Sequence, residues 1–201
     1  MTPDLPISDP DRDLRDYADA VAAAMAPDRP AMVVGHSISG MVIPLVADRR
    51  PVRRLVFLAA FIPQPDVSAN EQRRAEAIDR RPPPSSAEWT DLGANVWAIG
   101  PTTARELFFH DVPTDLATRA YERLRPQAYG VFDEPSPLTA WPDVPSSSIV
   151  CRDDRSVNPA WSRAAARARL GVTAIEIDGG HSPFLSRPAE LAEILASLAH
   201  R

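Results

Sequence analysis

The chain has 201 residues, 44% hydrophobic and 24% charged, which favours one globular domain with a substantial core over two. All 22 basic residues are arginine, so P-loop phosphate chemistry, pyridoxal Schiff bases and lysine nucleophiles are excluded. A single cysteine, Cys151, excludes intramolecular disulfides and thiolate clusters, and a net charge of −5 argues against a nucleic-acid partner. Met1–Pro10 shows neither the basic start nor the apolar run of a signal peptide. The longest apolar run, Leu55 to Pro63, is too short for a membrane span. A soluble cytoplasmic protein is the expectation, and the unpaired cysteine agrees with it.

Asp9-Pro10 offers a capping carboxylate and a first-turn proline, and Leu14, Tyr17, Val21 and Met25 then repeat at helical spacing. The apolar run Ala31–Gly35 reads as a strand, Ser39 to Ala47 as a second helix, and Arg54 to Ala60 as a further strand. Strand, helix, strand in this order predicts a parallel sheet covered on both sides. Residues 64–146 differ, because prolines punctuate them, among them Pro82, Pro83 and Pro84. Short helices are expected at Thr102–Phe109 and Thr114–Leu124, which makes the segment an insertion rather than sheet core. The βα rhythm resumes with a strand at Ser147–Cys151, a helix at Pro159–Leu170 and a strand at Val172–Ile177. A final helix runs from Pro188 to about His200, with Leu191, Leu195 and Leu198 on one face.

Gly35-His36-Ser37-Ile38-Ser39-Gly40 falls where the first strand meets a helix. A serine in that tight turn exposes its hydroxyl at the carboxyl end of the sheet. The following helix N-terminus favours a developing anion there. Serine attacks only with the help of a base, and a histidine and a carboxylate from other strand ends would supply it. His181, in the Asp178–Pro183 loop after the last predicted strand, is the candidate base. His36 reads as structural, and His110 and His200 as solvated side chains. Asp153 and Asp154 both follow the preceding strand. Asp154 is preferred, because Arg155–Asn158 fits the turn that trails such an acid, and Asp153 stays open as the alternative. The order Ser37, Asp154, His181 is that of α/β-hydrolases.

The chain resembles the α/β-hydrolase superfamily, in particular the esterase branch related to plant methylesterases and hydroxynitrile lyases. The similar stretches are Asp4–Pro6, Tyr17–Asp19, Val34–Met41, Arg54–Pro63 and Gly179–Pro188. Ser39 departs from the usual motif, standing where glycine is customary. The resemblance implies an α/β-hydrolase fold with core segments 1–63 and 147–201 and a helical cap over residues 64–146. It implies that Ser37 attacks an acyl carbonyl, with His181 as base and Asp154 fixing the imidazole. The backbone N–H of Ile38 would donate to the oxyanion. Phe61, Phe184, Trp97, Phe108 and Phe109 either line the substrate wall or pack in the interior. No cofactor or metal is required, and the histidines lack zinc-binding spacing. The expected partner is a small ester or related carbonyl compound. Alternatives are a silent ligand-binding member and a cyanohydrin lyase, the latter disfavoured by the absence of lysine.

Arg49, Arg50, Arg53 and Arg54 are expected on the opposite, amino-terminal side of the sheet without a ligand, and Cys151 in the core. The resemblance also places an early strand and a His-Gly-type loop ahead of the stretch matching Asp4–Pro6. That loop would carry a second oxyanion donor, and no candidate for it precedes Ser37. Loss of one such donor costs about 3–4 kcal/mol in the transition state. Ala31–Gly35 would then form a sheet edge open to self-association. The expectation is a chain shortened at its start, or a weak, aggregation-prone or partner-completed protein.

Overall fold

Asp13, rather than Asp9, starts the first helix. Asp9 is engaged locally by Arg12 and by the Asp11 N–H. Asp13 and Asp16 instead exchange side-chain-to-backbone hydrogen bonds in a capping box that opens α1 (Leu14–Ala24). The computed structural model describes residues 1–79 and 88–200, so Pro82, Pro83 and Pro84 lie outside the described residues.

β1 (Ala31–His36) runs into a 3-10 helix (Ser37–Met41) and then α2 (Ile43–Val46), which opens with Pro44 in its first turn. The single helix expected over residues 39–47 is therefore split in two. β2 (Val52–Leu58) follows, then α3 (Ala69–Glu76), β3 (Trp89–Asp91), β4 (Val96–Ile99), α4 (Pro101–Leu107) and α5 (Thr114–Tyr121). β5 (Gln127–Ala128), α6 (Gly130–Asp133), β6 (Ser146–Cys151) and α7 (Pro159–Leu170) come next. β7 (Ile175–Ile177), α8 (Pro183–Ser186) and α9 (Pro188–Ala199) close the chain.

The main sheet has the order β1-β2-β6-β7, and every neighbouring pair is parallel. The register aligns His36 with Leu58, Leu58 with Ile149, and Cys151 with Ile177. The loops that begin at Ser37, Arg152 and Asp178 therefore leave the sheet from one end, where ligands of such sheets gather. Alternation along β2 divides the core between the two faces. Leu55 and Phe57 join a cluster with α1, α2 and α7, while Val56 and Leu58 join Ile149, Ile177, Leu191 and Leu198 on the side of α9.

The segment between β2 and β6 is not purely helical. It holds a three-stranded sheet, β3-β4-β5, with both pairings antiparallel. Trp89, Thr90, Val96, Trp97 and Ile99 are strand formers, and Gly93, Ala94 and Asn95 take the positive φ that turns β3 back onto β4. β1 ends the main sheet, and a groove of about 610 Å3 along it is bordered by Leu5, Val21 and Met25.

The arginines expected away from the site are bonded to protein. Arg49 pairs with Asp19, Arg53 donates to the Ala199 carbonyl at 2.6 Å, and Arg54 donates to the Ser147 hydroxyl at 3.0 Å. Arg169 anchors the start of the insertion to α7. It donates to the Ile62 carbonyl, to Gln72 at 2.8 Å and to Glu76 at 2.5 Å. Glu76 also accepts from the Trp161 indole at 2.7 Å. Arg169 has a side-chain exposure of 12%, so its guanidinium is compensated by these acceptors and not by water. Arg169→Met is expected to lower stability by about 2–4 kcal/mol, read as a lower urea midpoint at unchanged slope.

Candidate active site

Ser37 occupies a strained corner. Its φ is 54°, a left-handed value that costs a non-glycine residue roughly 1–3 kcal/mol. Packing holds it there. A Cβ on Gly35 would meet the Ile43 side chain at 2.7 Å and the Ser39 carbonyl at 2.9 Å. A Cβ on Gly40 would fall 1.9 Å from the Phe61 carbonyl. The Phe61 N–H in turn donates to the Ser37 carbonyl at 3.1 Å. Glycine is therefore obligatory at 35 and 40, whereas the half-buried Ser39 fits beside the groove along β1. Ile38 stands in the first turn of the 3-10 helix, where backbone N–H groups lack helical partners, and its side chain packs on the core.

Asp154 and His181 meet directly. His181 Nδ1 lies 2.9 Å from Asp154 Oδ2, and both side chains are 2% exposed. The other carboxylate oxygen, Oδ1, accepts from the Ser156 N–H at 2.8 Å and the Val157 N–H at 3.0 Å. Those two bonds require the turn formed by Arg155–Asn158. Asp153 is exposed, and its backbone N–H donates to the Gly179 carbonyl at 2.9 Å. A carboxylate only accepts, so His181 Nδ1 carries the proton. In the neutral ring, Nε2 then holds the free lone pair.

His36 supports the histidine loop from below. Its Nε2 lies 2.8 Å from the His181 carbonyl oxygen, and its ring centroid is 4.5 Å from that of His181. Because a carbonyl accepts, His36 Nε2 is protonated and the ring is neutral. Burial, and then the nearby His181, push its pKa down from 6.5 to about 3. Burial likewise pushes the Cys151 thiol up, which suits a core residue and not a nucleophile.

Ser37 and His181 line one cavity of about 510 Å3. Phe108, Phe109, Leu116, Phe184 and Leu185 form much of its wall, and Arg119 and Arg123 also line it. Three of the five expected aromatics are therefore present. Phe61 is buried against Trp161, with ring centroids 6.2 Å apart, and borders instead a smaller cavity of about 120 Å3 that Ser37 and Phe108 share. Trp97 belongs to neither cavity. Its place in β4 sets it edge-on to Tyr129, with ring centroids 6.5 Å apart, and its indole N–H donates to Asn95 at 3.2 Å. Leu116 and Leu185 carried no signal in the sequence beyond helical periodicity.

His110, expected to be solvated, is instead half-buried, and its Nε2 lies 3.0 Å from the Asp153 carbonyl. The inserted segment brings the His110-Asp111 turn onto the loops after β6 and β7. His200 is exposed at the end of α9, as expected.

A strand-to-turn serine that shares a cavity with a carboxylate-held histidine, on a parallel sheet with a long insertion, matches the α/β-hydrolase pattern. The model of the "Alpha/beta hydrolase family" matches residues 1–194, and the chain belongs to that family. Its relatives include Probable hydrolase R7 of Phoma sp., 27% identical and covering 90% of this chain and 74% of that protein. Salicylic acid-binding protein 2 of Nicotiana tabacum is 28% identical over 89% of this chain and 74% of its own length. Among solved structures, polyneuridine aldehyde esterase superposes with a TM-score of 0.75 at 20% identity, covering 92% of this chain and 79% of that one. A pyrethroid hydrolase from Sphingobium faniae JZ-2 superposes with a TM-score of 0.74 at 22% identity, over 98% and 85% respectively. Both structural likenesses concern the fold.

Gly40→Ala is expected to cost about 3 kcal/mol or more, measured by urea denaturation, because the opposing atom is backbone and has nowhere to move. His36 supplies a pH dependence of stability. The unfolded chain takes up a proton near pH 6.5, and the folded one only near pH 3. Stability from this group is therefore complete above pH 6.5 and is lost as the pH falls toward 3. His36→Gln, which keeps an N–H for the His181 carbonyl, should flatten that acid loss by on the order of 2 kcal/mol in urea titrations.

Proposed function

We propose that the protein is a serine esterase that cleaves a small, largely apolar ester through an acyl-enzyme on Ser37. The observation that carries this reading is the buried hydrogen bond from His181 to Asp154, on the wall of the cavity that Ser37 also lines. Ser37 Oγ attacks the ester carbonyl while His181 Nε2 takes its proton, and Asp154 stabilises the imidazolium that forms. The oxyanion accepts a hydrogen bond from the Ile38 N–H. Collapse expels the alcohol, which takes the proton from His181. A water, deprotonated by the same nitrogen, then attacks the acyl-enzyme and releases the acid and free Ser37.

The relatives named hydrolases and esterases support this chemistry, and the mainly apolar wall supports the substrate class. We divide the chain accordingly into a core of residues 1–63 and 147–201 and a cap of residues 64–146. Binding of a small ligand without turnover is a second reading, favoured by the relative named a salicylic acid-binding protein.

Hydrolysis of p-nitrophenyl butyrate separates the two readings. The esterase reading predicts turnover that falls about 10^4-fold in both Ser37→Ala and Asp154→Asn. Turnover retained by Ser37→Ala would refute it. Absent turnover, with binding of the uncleaved ester unchanged by Ser37→Ala, would establish the second reading.

A further inference from the structure

The turn between α4 and α5 reaches down to both loops that carry the acid and the base. His110 Nε2 lies 3.0 Å from the Asp153 carbonyl oxygen, so it is the donor there. Asp111 Oδ2 accepts the Gly180 N–H at 2.8 Å. The approach is so close that side chains are barred on the other side. A Cβ on Gly179 would stand 2.5 Å from Asp111 Oδ2, and Gly179 itself has φ +100°. A Cβ on Gly180 would stand 2.6 Å from His110 Nε2 and 2.8 Å from Asp111 Oδ1. The glycine pair before His181 thus makes room for a His-Asp pair from the cap. The same turn begins with Phe108, whose ring centroid is 5.4 Å from that of His181.

The two loops are also tied to each other by the Asp153 N–H bond to the Gly179 carbonyl, at 2.9 Å. His110 and Asp111 lock this pair from above, one bond to each loop. His36 holds the His181 carbonyl at 2.8 Å, a third bond to the same pair of loops. Asp154 and His181 are adjacent in sequence to the held residues, so a shift of either loop moves the imidazole relative to Ser37.

We infer that His110 and Asp111 are positioning residues, which fix the His181 and Asp154 loops against the cap and thereby set the geometry of proton transfer with Ser37. This rests on the esterase reading of Ser37, His181 and Asp154. It joins the substrate wall and the base in one segment, with Phe108 on the cavity and the next turn of chain on the catalytic loops.

The test uses the whole chain and five substitutions, with folding checked by thermal unfolding. His110→Ala and Asp111→Ala should each lower kcat for p-nitrophenyl butyrate about 10- to 100-fold with KM changed less than about twofold. His110→Gln keeps an N–H donor and Asp111→Asn keeps an acceptor oxygen, so both should recover most of the loss. The Gly180 amide should exchange with deuterium at least about 10-fold faster in Asp111→Ala, and at the parental rate in Asp111→Asn. Should these alanine variants fail to fold, Gly180→Ala drives the His110-Asp111 clasp away while leaving His110 and Asp111 unchanged, and should reproduce the kcat loss. Parental kcat and parental Gly180 exchange in Asp111→Ala would overturn the inference. So would equal losses in Asp111→Ala and Asp111→Asn. A parent chain without esterase turnover would remove the esterase reading alone, and Gly180 exchange would then decide the clasp.

Discussion

A carboxylate only 2% exposed has to be compensated inside the protein, and the way Asp154 is compensated organises the end of the sheet. It takes two backbone N–H groups from its own turn and the Nδ1 proton of His181. The first requirement bends the chain after β6 into α7. The second brings the loop after β7 alongside and fixes the tautomer of its histidine. With Nδ1 committed, the imidazole keeps a basic nitrogen for chemistry. The β1 corner, held between Ile43 and the Phe61 carbonyl, supplies Ser37 from the far side of β2, which separates β1 from β6.

The parallel core was legible because its signals are local and strong. Apolar runs on both faces mark β1 and β2, and the helix expected at Pro159–Leu170 coincides with α7. Asp154 could be favoured over Asp153 because only the former is followed by residues suited to the turn it accepts from. The glycine pattern at 35 and 40 was equally readable, since backbone approach leaves no room there for a Cβ.

What escaped the sequence depends on tertiary contact. The start of α1 was misplaced because Asp9-Pro10 and Asp13 offer similar caps, and the reciprocal bond to Asp16 decides between them. The hairpin of β3 and β4 hid inside a proline-rich stretch too short for a clear period. Trp97 is open in the sequence between substrate wall and packing, and its place in β4, edge-on to Tyr129, decides for packing. His110 looked like a solvated side chain because nothing in its neighbourhood announces the glycine pair of a loop some seventy residues later, roughly the span separating Asp111 from Gly180.

The segment inserted between β2 and β6 accordingly does two physical jobs at the same end of the sheet. It lines the cavity with Phe108, Phe109 and Leu116, and it meets the loops of Asp154 and His181 through His110 and Asp111. The proposed chemistry requires Ser37 to be the activated nucleophile. Incubating the folded protein with a fluorophosphonate and mapping the adduct by peptide mass spectrometry tests this directly. A stoichiometric adduct on the peptide containing Ser37, slowed in Asp154→Asn, is the predicted result. An unmodified folded protein, or an adduct on a different serine, would contradict it.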